Sequence, residues 1–194
     1  LPPRRSFRRK LGERRYRKII VIATEGKKTE PQYFAMFKFR EPMVKVKCLE
    51  GKTGSSPTQV LQRMNVYLRE ESLKDIDEAW LVVDKDSWTD EQLTQLYQWS
   101  QNRRNYGFAL SNPKFELWLL LHFDDPIGVT PANCIEKLNR YLPNYDKGID
   151  VRKITLDHVT EAIRRAKQRD NPPCADWPRN TGSTVYKLVE KILA

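Results

Sequence analysis

Between residues 19 and 122, short apolar runs give way to helical patterns four times. Ile19-Ile20-Val21-Ile22-Ala23 is continuous, apolar and mostly β-branched, the pattern of a strand buried on both faces. Thr24-Glu25-Gly26 ends it. Residues 30–39 place Tyr33, Phe34, Phe37 and Phe39 at largely helical spacing, and Pro31 suits a first turn. Val44, Val46 and Cys48 alternate with Lys45 and Lys47, which predicts a strand with one wet face. After the loop 51–57, Ser56 before Pro57 predicts an N-cap, and Val60, Leu61, Met64, Tyr67 and Leu68 mark a helix. Residues 79–84 form a second buried-type strand. Thr89 or Asp90 caps a helix carrying Leu93, Leu96 and Tyr97. Residues 106–110 form a further strand, and Pro113 opens a very apolar helix over 115–121.

This alternation predicts an α/β domain: a mostly parallel four-stranded sheet flanked by helices. After Asp124-Asp125-Pro126 the strand signals stop, and residues 131–142, 155–169 and 181–193 have helical patterns. The expected organisation is a basic arm (1–18), an α/β domain (19–125) and an α-helical C-terminal extension (126–194) packed on the same domain.

Charge changes the picture of the arm. Residues 1–18 carry nine Lys or Arg and one acid, a local charge of +8 within a chain of +10. The body is nearly neutral. An arm of this kind, with Arg4, Arg5, Arg8 and Arg9, attracts phosphate backbones without choosing among them, or else is a solvated tail. Apolar residues at 39% and aromatics at 10% suffice for a packed core. No apolar run approaches the roughly 20 residues of a membrane helix, and no apolar segment follows the N-terminal charges as in a secretory signal. Leu1 leaves the true start open. Cys48, Cys134 and Cys174 are sparse and unpaired in spacing, which argues against a disulfide framework and for a reducing cytoplasm. With only His122 and His158, a metal site would rest on carboxylates. His122 follows an apolar helix end, where a structural or dipole-pairing role is expected.

In an open parallel sheet, ligands bind outside the carboxyl ends of the strands. Glu25 follows the first strand, Asp84-Lys85-Asp86 ends the third, and Ser111-Asn112-Pro113-Lys114-Phe115-Glu116 follows the fourth. In extended chain, residues i and i+2 share a face. Asp84 and Asp86 can therefore present oxygens to one hard cation, Mg²⁺ or Mn²⁺. Glu25 would complete the site, with Glu116 reaching inward. The competing reading is that the aspartates cap the following turn and Glu25 is solvated. Gly26-Lys27-Lys28-Thr29 and Gly51-Lys52-Thr53 are not nucleotide-binding loops, because Val21 and Val46 stand where the first glycine is required.

The segments Ile-Ile-Val-Ile-Ala-Thr-Glu25-Gly26-Lys-Lys-Thr-Glu30, Leu-Val-Val-Asp84-Lys-Asp86 and Ser111-Asn-Pro-Lys-Phe-Glu116-Leu-Trp-Leu-Leu-Leu-His122 resemble the RloB-like family. That family is associated with restriction and abortive-infection loci and is similar to Toprim domains. The resemblance implies a Toprim-like sheet, with Glu25, Asp84 and Asp86 as Mg²⁺ ligands serving phosphodiester chemistry. Glu30, Asn112, Lys114 and Glu116 also match family motif positions. Lys114 is placed to stabilise charge on the scissile phosphate, or is a surface lysine at a helix start. Nothing marks the nucleophilic tyrosine of a topoisomerase.

Two functions follow as expectations. One is a Mg²⁺-dependent nuclease, an endonuclease before an exonuclease, acting on RNA or DNA as the effector of an anti-phage system. Lys27, Lys28, Lys85 and Asn112 would contact the nucleic acid, and Trp88 would stack on a base or join the core. The other is a non-catalytic nucleic-acid-binding or regulatory subunit. The resemblance also implies an AAA-type or ABC-type ATPase encoded nearby. Self-assembly into a homo-oligomer is open.

Overall fold

The structure, a computed structural model, describes residues 18–49, 51, 56–86, 88–146 and 148–194. Its centre is a five-stranded sheet of order β2-β1-β3-β4-β5. The strands are β1 (Lys18–Thr24), β2 (Val44–Leu49), β3 (Glu78–Asp84), β4 (Tyr106–Asn112) and β5 (Gly182–Ser183). The first four run parallel, and β5 lies antiparallel on β4. The expected four-stranded sheet therefore gains an edge strand from the C-terminal region. Two residues without an apolar pattern carry no strand signal. The pairing is instead made by β4 and by side chains: Ser111 and Ser183 hydroxyls lie 2.9 Å apart, and the Leu110 N–H donates to Thr184 Oγ1 at 2.9 Å.

The helices are α1 (Thr29–Ala35), α2 (Phe37–Arg40), α3 (Pro57–Glu70), α4 (Asp90–Ser100), α5 (Phe115–Leu120), α6 (Cys134–Asn139), α7 (Leu156–Arg169) and α8 (Val185–Leu193). The helix expected over 30–39 is thus two pieces that meet at Met36. The helix expected over 131–142 is one short turn pair. Caps are where the sequence places them. Ser56 with Gln59, and Thr89 with Gln92, form reciprocal capping boxes that satisfy orphan N–H groups at both ends of the box. Thr155 and His158 do the same for α7.

Period-two alternation splits the sheet between two cores. Ile20, Ile22, Trp80 and Val82 face one core, shared with α1, α2, α5, α7 and α8. Val21, Ala23, Leu81 and Val83 face the other, with α3 and α4. The β3–β4 register sets Trp80 opposite Gly107, and any side chain at 107 would overlap the indole. Asp77 fastens the entry to β1 by accepting from the Ile19 N–H at 2.8 Å. Lys18, expected in the arm, is instead the first residue of β1 and pairs with Glu78 at 2.7 Å.

His122 is buried at the end of α5. Its Nδ1 donates to the Trp118 carbonyl at 2.9 Å, and its Nε2 stands 3.1 Å from the Tyr33 hydroxyl, which donates to it. Burial pushes its pKa down to about 3. His122 is therefore a neutral structural ring, not a cation paired with the helix dipole. Between pH 6.5 and 3 the unfolded chain binds this proton and the folded chain does not, so stability falls as pH drops through that window. Relative to a His122→Gln variant, the wild type is expected to lose about 1.4 kcal/mol between pH 7.5 and pH 5.5. Urea unfolding midpoints at the two pH values measure this.

Candidate functional site

With the order β2-β1-β3-β4, the chain reverses its direction of travel across the sheet between β1 and β3. That is the crevice where open α/β sheets bind ligands. A cleft of about 640 Å³ lies there. Its walls include Glu25, Lys27, Lys28, Glu30, Asp84, Asp86, Trp88, Lys114 and Glu116, with Ile135 and Asp146 from the C-terminal region.

The backbone of Glu25 is fixed on β3, since its N–H donates to the Val82 carbonyl at 3.0 Å. Its carboxylate accepts from the Asp84 N–H at 3.1 Å and from Trp88 Nε1 at 3.1 and 3.2 Å. The ends of β1 and β3 are thereby tied through Glu25 itself. Burial pushes the Glu25 pKa up to about 7; the N–H groups of Asp84 and Trp88 oppose the rise, while the Glu30 and Asp86 charges add to it. Gly26 follows, and its missing Cβ leaves room for the Glu30 carboxylate. Its N–H donates to Glu30 Oε1 at 2.8 Å, and a Cβ at position 26 would collide with that carboxylate. The Gly26 to Glu30 spacing is thus one device that brings a buried second glutamate into the cleft.

Asp84 is the last residue of β3, and its Oδ1 accepts from the Phe115 N–H at 2.8 Å. Its pKa is held well above the usual carboxylate range by burial first, then by the charges of Glu30, Glu25 and Glu116. Asp86 lies beyond the strand end in a turn, with a positive φ of 22°, and is exposed at the rim. The shared face expected from extended chain does not apply to it, because β3 stops at Asp84. Its N–H donates to the Pro113 carbonyl at 3.1 Å, which holds the turn against the exit of β4.

Glu116, in the first turn of α5, is buried, and its Oε1 accepts from the Tyr145 hydroxyl at 2.9 Å. The same hydroxyl lies 2.9 Å from Thr29 Oγ1. Lys114 is the N-cap residue of α5 and lines the cleft, as do the exposed Lys27 and Lys28.

Two expected site residues, Lys85 and Asn112, do not line the cleft. Lys85 is committed to its own turn, donating to the Trp88 carbonyl and to Asp90, both at 2.8 Å. Asn112 spends its amide on the Pro178 and Arg179 carbonyls, both at 3.1 Å, and so anchors the loop before β5. Arg4, Arg5, Arg8 and Arg9 lie outside the described residues. Trp88 is neither an open stacking platform nor a plain core residue; its ring is half-buried and its N–H serves Glu25. Tyr145 is the residue that sequence reasoning missed. It sits in a loop rich in Pro and Asn, with no periodicity to single it out.

The donor set is all oxygen, which suits a hard divalent cation. Among the described residues, however, no three His, Cys, Asp or Glu are gathered about one point as metal ligands. Among those residues no helix is long and apolar enough to cross a membrane. No curated protein and no solved structure matches the chain. The model of the RloB-like protein family matches residues 20–192, and the chain belongs to that family.

Proposed function

We propose that the chain is a metal-dependent nuclease of Toprim type, cleaving phosphodiester bonds in RNA or DNA. The observation that carries this reading is the gathering of Glu25, Glu30, Asp84 and Glu116 at one strand-end cleft, with two of them held toward protonation. Mutual repulsion of this kind is relieved by a divalent cation. Glu25 and Asp84 would hold it, with Asp86 from the rim, and oxygen donors favour Mg²⁺ or Mn²⁺. When bound, such a cation supplies a Lewis acid and a water of lowered pKa.

The chain's own groups do the positioning. N–H groups of Trp88, Asp84 and Phe115 orient the two principal carboxylates. Lys27, Lys28 and Lys114 offset the local negative charge and draw a phosphate backbone toward it. Lys114, at the start of α5, is placed to stabilise charge developing on the phosphate. The defence association of the family, an ATPase partner and self-assembly belong to the same proposal.

A second reading has one observation in its favour: although Glu25, Glu30, Asp84 and Glu116 line the cleft, no three ligand side chains among the described residues converge on one point. On that reading the chain is a nucleic-acid-binding or regulatory subunit without catalysis. A metal-titrated cleavage assay on total RNA, transfer RNA and plasmid DNA separates the two. Cleavage that requires Mg²⁺ or Mn²⁺ supports the nuclease. Salt-sensitive binding without cleavage, together with a flat divalent-ion isotherm, supports the subunit.

A further inference from the structure

The segment after α6 is fastened to α1 and α2 along a seam. The Ile149 N–H donates to Gln32 Oε1 at 2.8 Å, and Arg40 donates to the Ile154 carbonyl. At the cleft end of this seam, Tyr145 reaches between α1 and α5. Thr29, Glu116 and Tyr145 are 5%, 7% and 7% exposed, so the bonds among them are nearly dry. Dry polar groups bond with defined geometry, because an unmade bond there costs its full desolvation.

We propose that Tyr145 is a positioning residue that fixes the Glu116 carboxylate in the cleft, so that the C-terminal region completes the site. This rests on the metal-dependent reading given above. The phenol has one proton, and it goes to Glu116; the Thr29 hydroxyl is then the donor in the second bond. A phenol is protonated at neutral pH, so the hydroxyl has a proton to donate. One oxygen of Glu116 is thereby occupied and its rotation is blocked, which leaves the other oxygen with a set direction. On this inference Glu116 joins Glu25 and Asp84 in holding the cation, and a partner one step removed from a metal ligand acts in this way.

Mn²⁺ calorimetry on the full chain tests it, using wild type, Tyr145→Phe, Glu116→Gln and the double variant. Tyr145→Phe keeps the ring and removes only the hydroxyl. It is expected to weaken Mn²⁺ binding about tenfold to a hundredfold. It is expected to add nothing in the Glu116→Gln background. Thr29→Val, a second route to the same network, is expected to weaken binding in the same direction. Wild-type affinity in both Tyr145→Phe and Thr29→Val overturns the inference. So does an equal loss from Tyr145→Phe with and without Glu116, which marks a general packing role. A flat wild-type isotherm overturns the metal reading itself, and this inference with it.

Discussion

Glu25→Ala and Asp84→Ala are each expected to lower divalent-dependent cleavage by about a hundredfold to a thousandfold, the scale of losing a principal electrostatic stabiliser in a transition state. Each removes a carboxylate fixed at the carboxyl end of a central strand by backbone geometry. Glu30 is engaged by the Gly26 N–H, and Glu116 by Tyr145. Lys85→Ala is the informative comparison. Its ammonium group is spent on Trp88 and Asp90, so it is expected to change cleavage only slightly. Single-turnover rates on a labelled oligonucleotide, with melting curves for each variant, measure the contrast. Undiminished cleavage by both carboxylate variants would remove the chemistry from this cleft.

The same cleft costs stability when no cation is present. Glu25 titrates at about 7 in the folded chain against an ordinary value of 4.5. The folded chain therefore holds more protons than the unfolded chain between those values, and stability falls as pH rises through 4.5 to 7. Asp84 acts in the same direction. Glu25→Gln, which keeps an oxygen for the Asp84 and Trp88 N–H groups, is expected to be more stable than wild type at pH 8 in a chelator. The gain is roughly 2 kcal/mol, a figure already reduced for partial solvation. It is expected to vanish near pH 4.5, and Mg²⁺ is expected to stabilise the wild type more than the variant. Urea unfolding at the two pH values reads all of this. A variant less stable than wild type at pH 8 would mean that Glu25 is held mainly by its hydrogen bonds and carries no charge strain. The His122 effect runs the opposite way with pH, so the two are separated by their own variants.

Much of the α/β layout was legible because buried parallel strands have one-dimensional signatures. Ile20 to Ala23 and Ala79 to Val83 are apolar at every position, since both sheet faces are covered. The strand ends then located Glu25 and Asp84 by topology alone. What escaped notice depends on contacts distant in sequence. β5 is a two-residue strand made by pairing with β4, and α1 breaks from α2 at Met36 without a glycine or proline to announce it. The role of Trp88 follows from an N–H that happens to meet a carboxylate 63 residues away. Tyr145 meets Thr29 across 116 residues. No local pattern encodes such pairs. Lys85 and Asn112 looked available in sequence because their partners, too, are visible only in three dimensions.

Anomalous X-ray scattering from crystals grown with saturating Mn²⁺ and a short oligonucleotide addresses the proposed metal-dependent chemistry most directly. The expected result is an anomalous peak in the cleft within coordination distance of the Glu25 and Asp84 carboxylates, absent in Asp84→Ala. Ordered nucleic acid with no Mn²⁺ peak between those residues would contradict it.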